Sequence, residues 1–168
     1  MSRSQTFDLG ATMVVAAIAI PNLLRARMAA NEASAVATVR TANTAQIIYA
    51  STYLRKGYAP SLAVLGPDPA HATSFTSQHA GVIDSTLGNP SCTAGEWCVK
   101  SGYRFTIRTA CTPQQDCREY AVVATPVNTS TGTRSFCSTS DAVVRVQTSP
   151  PLTAPISARE CQSWTPLQ

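Results

Sequence analysis

The first half of the chain carries apolar positions at helical spacing. Residues 23–56 contain neither glycine nor proline and are rich in alanine, leucine and arginine, which favour helices. Apolar residues on one side of the helix predict the face that packs on a core. This stripe consists of Val36, Val39, Ile47, Ala50 and Leu54, and the polar Asn43 occupies the position between Val39 and Ile47. Because Arg55, Lys56 and Gly57 suit a helix end, the pattern predicts a long helix that stops at Gly57 within a few residues.

The second half alternates between apolar and polar residues with the period of β-strands. Residues 103–108 and 120–124 follow this alternation, and 134–137 and 142–147 form a further pair around a turn-rich tetrad. A long connecting region rich in Pro, Gly and Ser, 58–102, precedes them. One long helix followed by three or four antiparallel strands predicts an α+β fold with one face of the sheet packed on the helix.

The length of 168 residues suits one domain. We divide it into 1–57, an N-terminal hydrophobic segment and stalk helix, and 58–168, the connecting loop, sheet and C-terminal tail, which form one globular domain with the second half of the helix. A hydrophobic fraction of 44% excludes a disordered charged tail. The net charge of +4 is spread along the chain and does not form the clustered patch of a dedicated nucleic-acid module.

The cysteines are confined to the second half, at Cys92, Cys98, Cys111, Cys117, Cys137 and Cys161. An even number in a Ser/Thr/Pro-rich region indicates disulfides, and hence an oxidising compartment such as a periplasm or a cell surface. Fifteen pairings are possible. The spacing favours Cys92–Cys98, Cys111–Cys117 and Cys137–Cys161, because the first two close short loops and the third ties the Pro-rich tail 149–155 to the sheet.

The apolar run before the stalk is short. Residues 13–20 are apolar up to Pro21, and counting generously from 9 to 24 gives 16 residues, whereas a membrane-spanning helix needs about 20. Pro21 either begins the helix or kinks a longer one. The first residues match a secretory signal peptide only in part, because residues 1–8 are mostly polar and include Asp8.

The sequence contains no combination of residues typical of an enzyme active site. His71 and His79 have no cysteine or carboxylate at a spacing typical of a metal site or a triad, and no phosphate loop or nucleophile elbow is present. We therefore expect no catalytic residue, no cofactor and no metal. Tyr49, Tyr53 and Tyr58 are expected to pack at the core and its rim rather than to form an aromatic relay.

Residues 17–46, AIAIPNLLRARMAANEASAVATVRTANTAQ, resemble the long N-terminal helix of type IV pilins and of type II secretion pseudopilins. The same family is resembled more loosely by Tyr53 and by residues 57–62, 65–66, 124–128 and 132–136. The resemblance implies a prepilin that is exported through the inner membrane, cleaved by a prepilin peptidase, methylated at its new N-terminus and assembled into a filament at the cell surface. The implied partners are other pilin subunits and the secretion or pilus assembly machinery.

The resemblance also implies a role for Pro21, since the matching proline marks a kink or a locally melted stretch of the stalk. Family members carry a glycine cleavage site and a glutamate within an apolar run of about twenty residues, the length that a bilayer demands. An ungapped alignment on Pro21 places Ser4 where this glutamate belongs. Three interpretations stay open: a start that replaces the anchor, a degenerate member, or a domain released in soluble form.

The sequence thus predicts a structural subunit of a type IV pilus or of a type II secretion pseudopilus, anchored in the inner membrane before it polymerises through its N-terminal helix. The alternative is a binding module, a non-polymerising minor pilin-like or soluble pilin-like protein that presents its disulfide-bonded loops to DNA, a surface or other pilins. DNA binding would require phosphate contacts from Arg104, Arg108 or Arg118.

Overall fold

A computed structural model of the protein describes residues 9–71, 73–112 and 116–167. Helix α1, Leu9–Thr52, is 44 residues long and contains Pro21 in its interior. At about 1.5 Å per residue, it extends over roughly 66 Å. Of the two alternatives for Pro21, the structure therefore supports a position inside one long helix and not at its start.

The six strands of the described residues form one antiparallel sheet in chain order. They are β1 Cys98–Lys100, β2 Tyr103–Cys111, β3 Cys117–Pro126, β4 Arg134–Thr139, β5 Arg145–Thr148 and β6 Thr165–Pro166. Short helices lie in the connections, α2 at Leu62–Leu65 and α3 at Ala158–Gln162. The α+β class with a long N-terminal helix is confirmed, but the sheet exceeds the predicted three or four strands. The two edge strands have three and two residues, too few to show an alternation.

Helix α1 packs on the sheet with a different face from the one that the apolar stripe predicts. Its buried positions are Glu32, Ala35, Thr38, Val39, Ala42, Asn43, Ala45, Gln46 and Tyr49. Ile47 and Leu54, both assigned to the core from the sequence, are 53% and 83% exposed. The prediction is wrong for these two because polar residues occupy part of the buried face, so the face is rotated away from Ile47, and because Leu54 follows the helix end.

The helix ends at Thr52, five residues before the predicted stop at Gly57. Gly57 has a φ of +66°, and a Cβ on it would overlap the carbonyl oxygen of Cys117. The N–H of Tyr58 donates to that oxygen at 2.8 Å, and the N–H of Cys117 donates to the carbonyl of Lys56 at 3.0 Å. Gly57 thus permits a close approach to the start of β3 and does not cap the helix.

Both faces of the sheet are covered. The inner face packs on α1 through Tyr103, Phe105, Ile107, Tyr120, Val122, Ala124 and Phe136. A second cluster on the outer face consists of Ala121, Val123, Cys137, Ile156, Cys161 and Trp164. The C-terminal tail, which the third disulfide is expected to tie to the sheet, therefore covers the face opposite α1.

Candidate assembly surface

The candidate assembly surface is the part of α1 that the rest of the protein leaves uncovered. Every residue of 21–27 is exposed, and Glu32 is the first buried position among the side chains described from residue 21 onward. Leu23 is 71% exposed and Leu24 is 49% exposed. From Pro21 to Asn31 none of the side chains is buried, a stretch of about 16 Å at the usual helical rise. Leu23 and Leu24 are thus two adjacent exposed apolar side chains, and they make this stretch the candidate interaction surface.

Pro21 is itself exposed and lies inside α1. As a proline it has no N–H to donate to the carbonyl of residue 17, so one hydrogen bond of the helix is missing there. Arg25 and Arg27 follow on the same exposed stretch. The role of Pro21 in bending or assembly stays a prediction.

A charged contact marks the point at which α1 meets the rest of the protein. Oε2 of Glu32 lies 2.6 Å from Nη2 of Arg134, and Oε1 accepts a hydrogen bond of 3.0 Å from the backbone N–H of Thr133. One residue earlier, Nδ2 of Asn31 donates to the carbonyl of Thr131 at 3.0 Å. Burial alone would raise the pKa of Glu32, but the bonds from Thr133 and Arg134 outweigh it and hold this pKa below its usual value.

A chain of hydrogen bonds joins the middle of α1 to the sheet. Burial raises the pKa of Tyr120, and its protonated hydroxyl donates to Oδ1 of Asn43 at 3.2 Å. Nδ2 of Asn43 donates to Oγ of Ser138 at 2.7 Å, and that hydroxyl donates to the carbonyl of Val143 at 2.9 Å. Because Tyr120 and Ser138 belong to β3 and β4, Asn43 fixes the helix on both central strands.

Two further side chains fasten α1 to the segment that follows it. Oε1 of Gln46 accepts from the N–H of Ala59 at 2.8 Å, and its Nε2 donates to the carbonyl of the same residue at 2.9 Å. The hydroxyl of Tyr49 donates to the carbonyl of Ser77 at 2.9 Å. The sequence analysis places Asn43 on the predicted face and Tyr49 at the core or its rim, but it missed Gln46 because it considered mainly apolar positions. A signal exists, since Glu32, Asn43 and Gln46 recur at helical spacing with Val39 and Ala42.

The six cysteines form three disulfides, Cys92–Cys98, Cys111–Cys117 and Cys137–Cys161. These are the pairs that the spacing favours. The second pair joins the end of β2 to the start of β3, where the two residues lie opposite each other. The third joins β4 to α3 and so holds the tail on the outer face.

The tail is also held by arginines that were candidates for DNA contacts. Nη2 of Arg104 donates to the carbonyl of Leu152 at 2.9 Å, and Nη1 of Arg108 donates to that of Pro155 at 3.1 Å. The third candidate, Arg118, pairs with Asp116 at 3.0 Å through its Nε. All three thus have internal acceptors.

The histidines and tyrosines singled out in the sequence do not form one cluster in the described residues. Nδ1 of His71 lies 3.7 Å from a carboxylate oxygen of Asp68, and no three His, Cys, Asp or Glu residues within the described ranges could hold a metal ion together. Tyr49 and Tyr53 have ring centroids 4.9 Å apart, whereas the ring of Tyr58 packs edge-on against Tyr120 at 4.6 Å.

Comparisons with known proteins give no relative: the chain matches no protein-family model, no curated protein and no solved structure. Within the residues that the structure describes, no helix has both the length and the apolar composition needed to cross a membrane.

Proposed function

We propose that the protein is a structural subunit of a type IV pilus or of a type II secretion pseudopilus, and that it polymerises through α1. The observation that carries this proposal is the exposure of residues 21–27, with Leu23 and Leu24 facing solvent, on a helix whose second half is bonded to the sheet. Apolar surface leaves water when a second apolar surface is available. The same stretch of another copy offers that surface.

Two further observations support the proposal. Of the residues that resemble the pilin stalk, 17–46, those at 21–27 are exposed, and the anchors Glu32, Asn43 and Gln46 follow them along α1. The three disulfides accord with assembly in an oxidising compartment outside the cytoplasm. We propose that the subunit is held at the inner membrane and then enters a filament at the cell surface, because the resemblance to pilins implies this sequence of events.

The test compares two exposed leucines of the helical region. The full chain is purified in mild detergent, freed of it, and examined by sedimentation velocity and electron microscopy. Leu23→Glu places a charge in the uncovered stretch, whereas Leu54→Glu places one beyond the end of α1, at a leucine that is 83% exposed. We expect fibres from the wild type and from Leu54→Glu, and monomers from Leu23→Glu.

Assembly of Leu23→Glu to the same extent as the wild type would contradict the proposal. A wild-type chain that stays monomeric would favour the alternative, a non-polymerising binding module. In that case DNA binding is measured against salt concentration, because phosphate contacts release counterions and a slope near zero excludes them.

A further inference from the structure

A small hollow lies where the end of α1 meets the segment that follows it. Its volume is about 180 Å³. The lining includes the side chains of Tyr49, Tyr58, Pro60 and Val64, together with Lys56 and Ser77. A dry protein cavity of about 150 Å³ holds a molecule of benzene. The hollow therefore has room for one aromatic ring with a small substituent.

The walls of the hollow are held in place by their own contacts. The hydroxyl of Tyr49 donates to the carbonyl of Ser77 at 2.9 Å, which fixes one ring. The other ring, Tyr58, packs against Tyr120 with an angle of 64° between the planes. Because both rings are already ordered, a guest would bind without the entropic cost of ordering them.

The mouth of the hollow is cationic. A second hollow of about 280 Å³ shares Lys56 and Ser77 with the first and adds Arg55. The ion pairs of the described residues employ other cations, namely Lys100, Arg118, Arg134 and Arg145, together with His71. The carboxylate of Asp116 lies near Gly57, but it is bonded to Arg118. Lys56 and Arg55 are thus left to attract an external anion.

We propose that this hollow binds a small aromatic anion, with the ring between Tyr49 and Tyr58 and the carboxylate at Lys56 and Arg55. Pockets that bind small molecules combine apolar walls with a few polar groups that fix the orientation, and this site has that composition. The proposal is independent of polymerisation, since the hollow lies at the opposite end of α1 from residues 21–27.

The test uses benzoate as the probe, with benzamide as its neutral analogue and acetate as the anion without a ring. Binding to the full chain is measured by saturation-transfer NMR titration. We expect saturable binding of benzoate and no binding of acetate. Benzamide should bind at least about tenfold more weakly than benzoate, a difference of about 1.4 kcal/mol, because it lacks the charge that Lys56 attracts. The absence of saturable benzoate binding, or equal affinities for benzoate and benzamide, would overturn the proposal.

Three variants locate the site. Lys56→Met keeps the aliphatic stem and should reduce benzoate affinity to that for benzamide, while Val64→Trp should fill the hollow and abolish both. Arg159→Met removes an exposed cation outside the hollow and should leave benzoate affinity unchanged. Equal losses in Lys56→Met and Arg159→Met would show non-specific attraction and refute the site. If Val64→Trp does not fold, the comparison of Lys56→Met with Arg159→Met still decides whether benzoate binds at this site.

Discussion

Glu32 of helix α1 and Arg134 of β4 form an ion pair between residues 102 positions apart in the chain, with Nη2 of the arginine 2.6 Å from Oε2 of the glutamate. This pair lies where the helix leaves the sheet. It therefore marks the point beyond which the sheet no longer covers α1.

Replacing Glu32 by glutamine should destabilise the protein. The Glu32 side chain is only 9% exposed, and the change would place an amide beside the guanidinium of Arg134 and weaken the bonds from Thr133. We expect a loss of about 2 kcal/mol in the free energy of unfolding, measured by urea titration at pH 7. Glu119→Gln changes an exposed carboxylate on β3 and serves as the control. Equal losses in the two variants would show that the ion pair contributes nothing.

The stability of the protein should fall in acid, with Asp141 as one cause. The hydrogen bond from Arg145 is the largest influence on the pKa of Asp141, which lies at about 2 instead of its ordinary 3.8 although burial acts in the opposite direction. Between these values the unfolded chain binds more protons than the folded one. The contribution of Asp141 is therefore complete above about pH 4 and is lost as the pH falls towards 2.

The measurement for this prediction is the melting temperature between pH 2 and pH 6. Asp141→Asn should reduce the slope of that profile, because the titrating group is gone. Glu96→Gln, at an exposed residue of the first disulfide loop, should leave the slope as in the wild type. A wild-type slope in Asp141→Asn would disprove the assignment.

Replacing the side-chain amide of Gln46 should destabilise the protein. It is fully buried, and both of its polar atoms bond to the backbone of Ala59. Gln46→Leu leaves a buried N–H and a buried carbonyl without partners, so we expect a loss of about 2 to 4 kcal/mol in the free energy of unfolding. Thr44→Ala, on the exposed side of the same helix turn, should cost less than about 0.5 kcal/mol. A loss in Gln46→Leu as small as in Thr44→Ala would contradict this role.

The sequence predicted α1 and the strands β2 to β5 because their patterns are local. Helical spacing and alternation can be read within one segment, as Tyr103, Phe105 and Ile107 show. It could not predict β1 and β6, whose two or three residues carry no period. The cysteine spacing also indicated the three pairs.

The anchors of α1 could not be predicted in the same way. A polar residue such as Asn43 is buried only because Ser138, 95 positions later, supplies its partner. For the same reason the hollow between Tyr49 and Tyr58 has no signature along the chain. The sequence does contain a signal for the uncovered stretch around Leu23, since only two residues separate its leucines from the apolar run 13–20.

Non-reducing peptide mapping should recover the three disulfides separately. Digestion without reductant is expected to give one peptide pair for each of Cys92–Cys98, Cys111–Cys117 and Cys137–Cys161. Recovery of a peptide that joins Cys92 to Cys161 would contradict the pairing.

Of the three disulfides, Cys137–Cys161 should contribute most to stability, because it closes the longest loop, with a sequence separation of 24 against 6 for Cys92–Cys98. On the chain-entropy account, its removal as Cys137→Ala/Cys161→Ala should cost about 3 kcal/mol, and Cys92→Ala/Cys98→Ala about 2 kcal/mol. The first variant should also release the tail, since Trp164 packs beside Cys161 and is 8% exposed. In a Trp97→Phe background, the fluorescence of Trp164 should then shift to the red at urea concentrations below the main transition. Coincident transitions would show that the packing of Ile156 and Trp164 holds the tail without the disulfide.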